Sequence, residues 1–98
     1  MAEITTMKSA MAKHILVKTK SEAEAIKQQL ANGQDFGKLA RKYSLCNTKK
    51  REGDLGEVYI GQLVKPIEQV IFKKPLHQVH GPIKSSFGYH LVVVYFRN

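Results

Sequence analysis

The sequence contains one cysteine, Cys46, and no tryptophan. A lone thiol excludes an internal disulfide and fits a reducing compartment. No apolar run approaches the ~20 residues of a membrane-spanning helix, so a water-soluble protein without a membrane partner is expected. The start, Met1-Ala-Glu-Ile-Thr-Thr-Met-Lys, lacks the basic, apolar and small-residue segments of a signal peptide, which points to the cytoplasm. Acidic residues are scarce, 8 against 16 Lys and Arg, and the formal net charge is +8. Basic faces attract polyphosphates, yet here the positives are spread along the chain. Arg41-Lys42 and Lys49-Lys50-Arg51 cluster, but without interleaved aromatics or a helix-turn-helix pattern. A solvated basic surface with weak polyanion affinity is expected, not a specific nucleic-acid site. His77-Gln78-Val79-His80 has no neighbouring cysteine or carboxylate and reads as a loop, so neither a metal nor another cofactor is expected. Repeats are absent, and 98 residues make one domain, expected to be a monomer.

Two apolar stretches each hold a histidine. From His90 to Phe96 every other residue is apolar, β-branched or aromatic, the pattern of a central strand covered on both faces. In Lys13-His14-Ile15-Leu16-Val17-Lys18, alternation places His14 and Leu16 on one face and Ile15 and Val17 on the other. If the two strands are antiparallel neighbours, His14 faces His90, and two neutral imidazoles satisfy each other without a charge or a metal.

Residues 1–11 show no apolar period and read as a flexible leader, with the domain spanning 12–98. The first strand is predicted over Ala12 to Lys18. Ser21-Glu22-Ala23-Glu24 has the form of a capping box, opening a helix whose inner side is Ala23, Ile26 and Leu30 and which ends at Asn32-Gly33. Asp35 caps a second helix with Phe36, Leu39, Ala40 and Tyr43 on one side, and the two helices are expected to pair as a hairpin on the sheet. The polar stretch from Asn47 to Gly56 reads as a loop, with a further short helical turn possible after residue 43. A short strand follows at Glu57 to Ile60, then a proline-started helix from Pro66 to Phe72 with Ile67, Val70 and Ile71 inward. Gly81-Pro82-Ile83-Lys84 suits an edge strand, where a proline is tolerated. The order β, α, α, β, α, β, β gives an α+β domain with a mainly antiparallel four-stranded sheet.

Cys46 follows a helix and precedes the basic loop, which makes a cysteine and histidine nucleophilic site conceivable. No acidic or amide orienter and no oxyanion hole are identifiable, and a packed, inert thiol is the simpler reading. Leu63, Ile67 and Phe87 together suit a small apolar pocket, or plain core. Gly88, lacking a side chain, is a place for close approach of a ligand to the backbone.

Six collinear motifs resemble the parvulin peptidyl-prolyl cis-trans isomerases, most closely the small stand-alone bacterial forms, over residues 13–98. They are His14-Ile15-Leu16-Val17-Lys18, Asp35-Phe36-Gly37-Lys38-Leu39-Ala40, Ser44-Leu45-Cys46, Gly53-Asp54-Leu55-Gly56, Gly61-Gln62-Leu63-Val64-Lys65-Pro66, and Gly81-Pro82-Ile83 continuing through Phe87-Gly88-Tyr89-His90. The resemblance implies the parvulin fold of the FKBP-like superfold, rotamase activity on proline-containing polypeptides, and a groove over the sheet. Its floor would be His14, His90 and Cys46, the catalytic group. Leu63, Ile67 and Phe87 would form the proline slot, with Val64 and Ser85 lining the groove. The family usually has methionine at Leu63, phenylalanine at Ile67 and glycine at Glu52. Phosphate-directed parvulins carry a long basic loop after the first strand, which here is only Thr19-Lys20. A proline-segment holder with little turnover, or a weak nucleic-acid binder, are the competing readings.

Overall fold

The computed structural model describes residues 8–98, so most of the expected leader lies outside the described residues. The elements are β1 (Ser9–Val17), α1 (Lys20–Ala31), α2 (Phe36–Tyr43), a 3-10 turn (Asn47–Arg51), β2 (Asp54–Tyr59), α3 (Lys65–Lys73), β3 (Val79–Ser85) and β4 (Gly88–Arg97). Their order is the expected one, and the 3-10 turn is the extra helical turn after residue 43.

All strand pairs are antiparallel, in the order β2-β1-β4-β3, so the two histidine-bearing strands are the central neighbours. Helices cover both faces, which is why β4 is apolar on both sides. On one face, Ala10, Ala12, Val92 and Val94 pack with Ile67, Val70 and Ile71 of α3. On the other, Ile15, Val17 and Leu91 meet Ala23 and Ile26 of α1 and Leu39 and Ala40 of α2. α1 lies on β3 and β4 and α2 on β1, so the pair shares a sheet face instead of forming the expected hairpin.

Several boundaries differ from expectation. β1 starts at Ser9, not Ala12, because Ser9 to Met11 pair with β2 and Ala10 and Met11 also pair with the end of β4. Ala10 is fully buried, so these residues belong to the domain and not to a leader. The capping box is Thr19 with Glu22, two residues ahead of Ser21 and Glu24. Thr19 Oγ1 accepts from the Glu22 amide and Glu22 Oε1 from the Thr19 amide, both at 3.1 Å. Asp35 caps α2 as expected, its Oδ2 accepting from the Lys38 amide at 2.9 Å. β2 begins at Asp54, inside what the sequence presents as loop, and ends at Tyr59. β3 is the edge strand that holds Pro82.

Candidate active site

The central strands set the floor. His14 pairs across from Val92 and Leu16 from His90, so the two imidazoles are diagonal neighbours on one sheet face. Their Nδ1 atoms lie 3.3 Å apart and the rings stack with centroids at 5.5 Å. His90 Nε2 meets Ser85 Oγ at 2.6 Å, and that oxygen also accepts from the Phe87 amide at 3.1 Å. One proton arrangement follows the chain outward: the Ser85 hydroxyl donates to His90, His90 donates to His14, and His14 carries its proton on Nε2. The reverse polarity leaves His14 Nε2 bare. In both, the two rings are neutral and share one bond. His14 Nε2 is buried and has no partner among the described residues.

Burial, with His90 alongside, pushes the His14 pKa down to about 4. Burial also lowers that of His90. Both shifts favour the neutral imidazoles at pH 7.

Cys46 is carried in by stitching at the end of β1. Leu45 donates its amide to the Leu16 carbonyl at 2.8 Å, and the buried Ser44 Oγ accepts from the Leu16 and Cys46 amides at 3.1 and 3.3 Å. The far side of the same segment is fixed by Gly53, whose amide donates to Thr48 at 2.8 Å and whose carbonyl accepts from the His14 amide at 2.9 Å. Gly53 has φ of +85°, and a Cβ there would stand 2.6 Å from the His14 carbonyl oxygen, so glycine is required. Ser44 stands inside the Ser44-Leu45-Cys46 motif, but its residue type does not mark this role. Its position two residues before Cys46 was the available signal.

Over this floor lies a cavity of about 420 Å³. His14, His90 and Cys46 line it together with Leu63, Val64, Ile67 and Phe87, bringing seven of the eight predicted residues to one place. The eighth, Ser85, does not line it and reaches it only through His90. Leu16, Leu55 and Gln62 complete the wall. Leu16 shares the alternation of His14, and Leu55 and Gln62 sit inside two of the motifs, but nothing in their residue types alone marks them. Gln62 is held by its Oε1, which accepts from the Tyr59 amide at 2.8 Å. Ile67 is 3% exposed and belongs to the core as well as the wall, while Phe87 is 65% exposed at the rim. Gly88 does not serve ligand approach, because a Cβ there would collide with the Val17 carbonyl of β1. Val79 and His80, expected in a loop, belong instead to β3, where they pair with Val93 and Val92 of β4, and His80 Nε2 donates to the Pro75 carbonyl at 2.8 Å.

Among the described residues, none with a formal charge lines the cavity. Such a site suits binding an apolar ring beside a polar but uncharged floor. It supplies no carboxylate to orient a histidine base.

Comparison with known proteins fits this geometry. The rotamase family described as the PPIC-type PPIase domain matches residues 4–95. Foldase protein PrsA 1 of Bacillus cereus is 40% identical over 84 residues, 85% of this chain and 29% of that protein. Foldase protein PrsA of a Geobacillus species is 43% identical over 84 residues, 85% of this chain and 30% of that protein. The chain thus spans under a third of the length of these curated relatives. Among solved structures, NmPin, the parvulin of Nitrosopumilus maritimus, superposes with a TM-score of 0.81 at 41% identity, covering 93% of this chain and 98% of NmPin. PrsA from Bacillus anthracis gives 0.90 at 31% identity, over 94% of this chain and 43% of that one. In sequence and in fold alike, the chain belongs to the PPIC-type peptidyl-prolyl isomerases, the parvulins.

Proposed function

We propose that this isomerase domain accelerates rotation about Xaa-Pro bonds in unfolded or flexible polypeptide segments, without a covalent intermediate and without preference for a phosphate before the proline. The observation that carries the reading is a cavity walled by Leu63, Ile67 and Phe87, with no formally charged residue in its lining, over a buried, hydrogen-bonded histidine pair. Rotation about a peptide bond faces a barrier of roughly 18–20 kcal/mol, because the twisted amide loses its conjugation. The twisted form also has less charge separation than the planar one, so an apolar, uncharged enclosure favours it. The slot grips the proline ring while the rest of the chain turns. A reduction of roughly 5–8 kcal/mol gives ~10⁴- to 10⁶-fold acceleration.

Cys46 and the histidines act in this reading by shape and dipole. His14 Nδ1 is committed to His90 and His90 Nε2 to Ser85, leaving no carboxylate-oriented base to activate the thiol. The connection between β1 and α1 is only Lys18-Thr19, too short to form a phosphate-binding loop. We further place the domain as a monomer in the cytoplasm. Its free cysteine supports a reducing compartment.

The test is two-dimensional exchange NMR on a peptide with one alanine-proline bond, whose unaided exchange takes tens of seconds or more. Cross-peaks between cis and trans resonances are expected with catalytic amounts of protein, and a phosphoserine-proline peptide is expected to gain nothing over it. Binding without cross-peaks would make the domain a holder of proline segments. Cys46→Ser is expected to retain substantial exchange. Loss of exchange together with a trapped acyl group on Cys46 would replace the rotational mechanism by a covalent one.

A further inference from the structure

Two basic clusters that are separate in sequence lie on neighbouring elements in the fold. Arg41 and Lys42 end α2, Lys49, Lys50 and Arg51 end the 3-10 turn, and the two elements pack on each other. Contact between Arg41 Nε and Glu52 Oε2 at 3.6 Å shows how closely the clusters meet. With Lys38 the two elements carry six exposed cations, and Glu52 is the single carboxylate paired with any of them among the described residues.

This face is continuous with the proline groove. Cys46 lines the cavity and is also the residue from which the 3-10 turn starts. At ~2.0 Å rise per residue the turn that starts beside the cavity wall is about 10 Å long. An extended substrate, at ~3.3 Å per residue, reaches its far end about three residues from the proline. Nucleic acid is a poorer fit, because Tyr43, the aromatic of this stretch, has its ring beneath Lys42 Nζ at 5.1 Å.

We propose that the face formed by α2 and the 3-10 turn is an extension of the groove that receives an acidic stretch of the substrate polypeptide, with Asp or Glu about three to six residues from the isomerised proline. The proposal rests on the isomerase reading and adds a substrate class to it. The cations act on capture, through the local field and exposed ion pairs, and not on the rotating bond.

The experiment compares kcat/KM from exchange NMR for three peptides with one alanine-proline bond: a serine and glycine flank, three aspartates before the proline at that spacing, and three aspartates after it. At low salt one of the two acidic peptides is expected to exceed the neutral one about fivefold, the scale of a few exposed ion pairs, and to lose the advantage in 0.3 M salt. The double variant Lys49→Glu/Lys50→Glu is expected to abolish that advantage. Lys73→Glu/Lys74→Glu, the same charge change at the far end of α3, is expected to keep it. Equal turnover of all three peptides by the unaltered protein overturns the proposal and leaves the isomerase reading standing, whereas no turnover of any peptide overturns both. Equal loss in both double variants reduces the effect to net charge and overturns the local assignment. Backbone amide shifts at residues 49–51 caused by a short oligonucleotide and not by the acidic peptide would assign the face to nucleic acid, also against the proposal.

Discussion

Glu52 is the residue least explained by its own conformation. Its φ is 61°, in the left-handed region that costs a non-glycine residue roughly 1 kcal/mol. Its side chain lies over Gly37 of α2, where an added Cβ would stand 2.7 to 2.9 Å from three Glu52 atoms. The glycine at 37 leaves the room that the Glu52 side chain occupies. Gly37→Ala is expected to destabilise the protein by ~1–2 kcal/mol, as overpacking does. In a Glu52→Gly background the same change should be neutral or stabilise by ~0.5–1 kcal/mol, the ordinary gain of alanine over glycine in a helix. Urea denaturation of the four proteins in the cycle measures the coupling, and additive changes would contradict the contact. Legibility differs among site residues for a similar reason. His14 and His90 stand out because a polar ring in an apolar run demands a partner. Ser85 and Glu52 are ordinary polar residues whose importance lies in what they touch across the fold, and alternation carries no trace of that.

At the scale of elements, β2 is tied to β1 by its ladder and to β4 by a side-chain link that crosses β1. Asp54 Oδ1 accepts from the Tyr95 hydroxyl of β4 at 2.8 Å and from the Gly56 amide at 2.8 Å, passing over β1 where Lys13 stands above the Tyr95 ring at 5.9 Å. Burial and the Asp54 carboxylate push the Tyr95 pKa up to about 12, so the phenol stays a donor throughout the physiological range. Tyr95→Phe is expected to cost ~1 kcal/mol. Hydrogen exchange should quicken at the amides of β2 more than at those of β3, and uniform quickening would show that the link serves global stability instead. Because Leu55 lines the cavity from β2, the variant should also weaken peptide binding. Helices were legible wherever an apolar period and a cap coincided, as in α2 and α3. The start of β1 was not, because Ala10 and Ala12 are small to fit beneath α3 and register weakly as a strand face. The capping box is ambiguous in sequence because Thr19-x-x-Glu22 and Ser21-x-x-Glu24 are the same pattern, and in the fold Thr19 and Glu22 form it.

For the whole molecule, the histidine pair couples the fold to pH. It joins the two central strands on the face covered by α3, so a charge placed there is buried in the middle of the sheet. The unfolded chain binds a proton at His14 near pH 6.5, the folded one only near pH 4. Between those values the unfolded state holds more protons, and stability rises with pH. It is fully present above pH 6.5 and is lost as pH falls toward 4. By pH 5, above the range where most carboxylates titrate, His14 alone should remove about 2 kcal/mol. His90, lowered by burial, adds loss in the same direction. Urea midpoints measured from pH 7.5 to 5 are expected to fall steadily below pH 6.5, with little change above it. A flat profile over that interval would mean that the imidazoles accept protons in the folded state, and the neutral, uncharged floor on which the rotational mechanism rests would not survive that result.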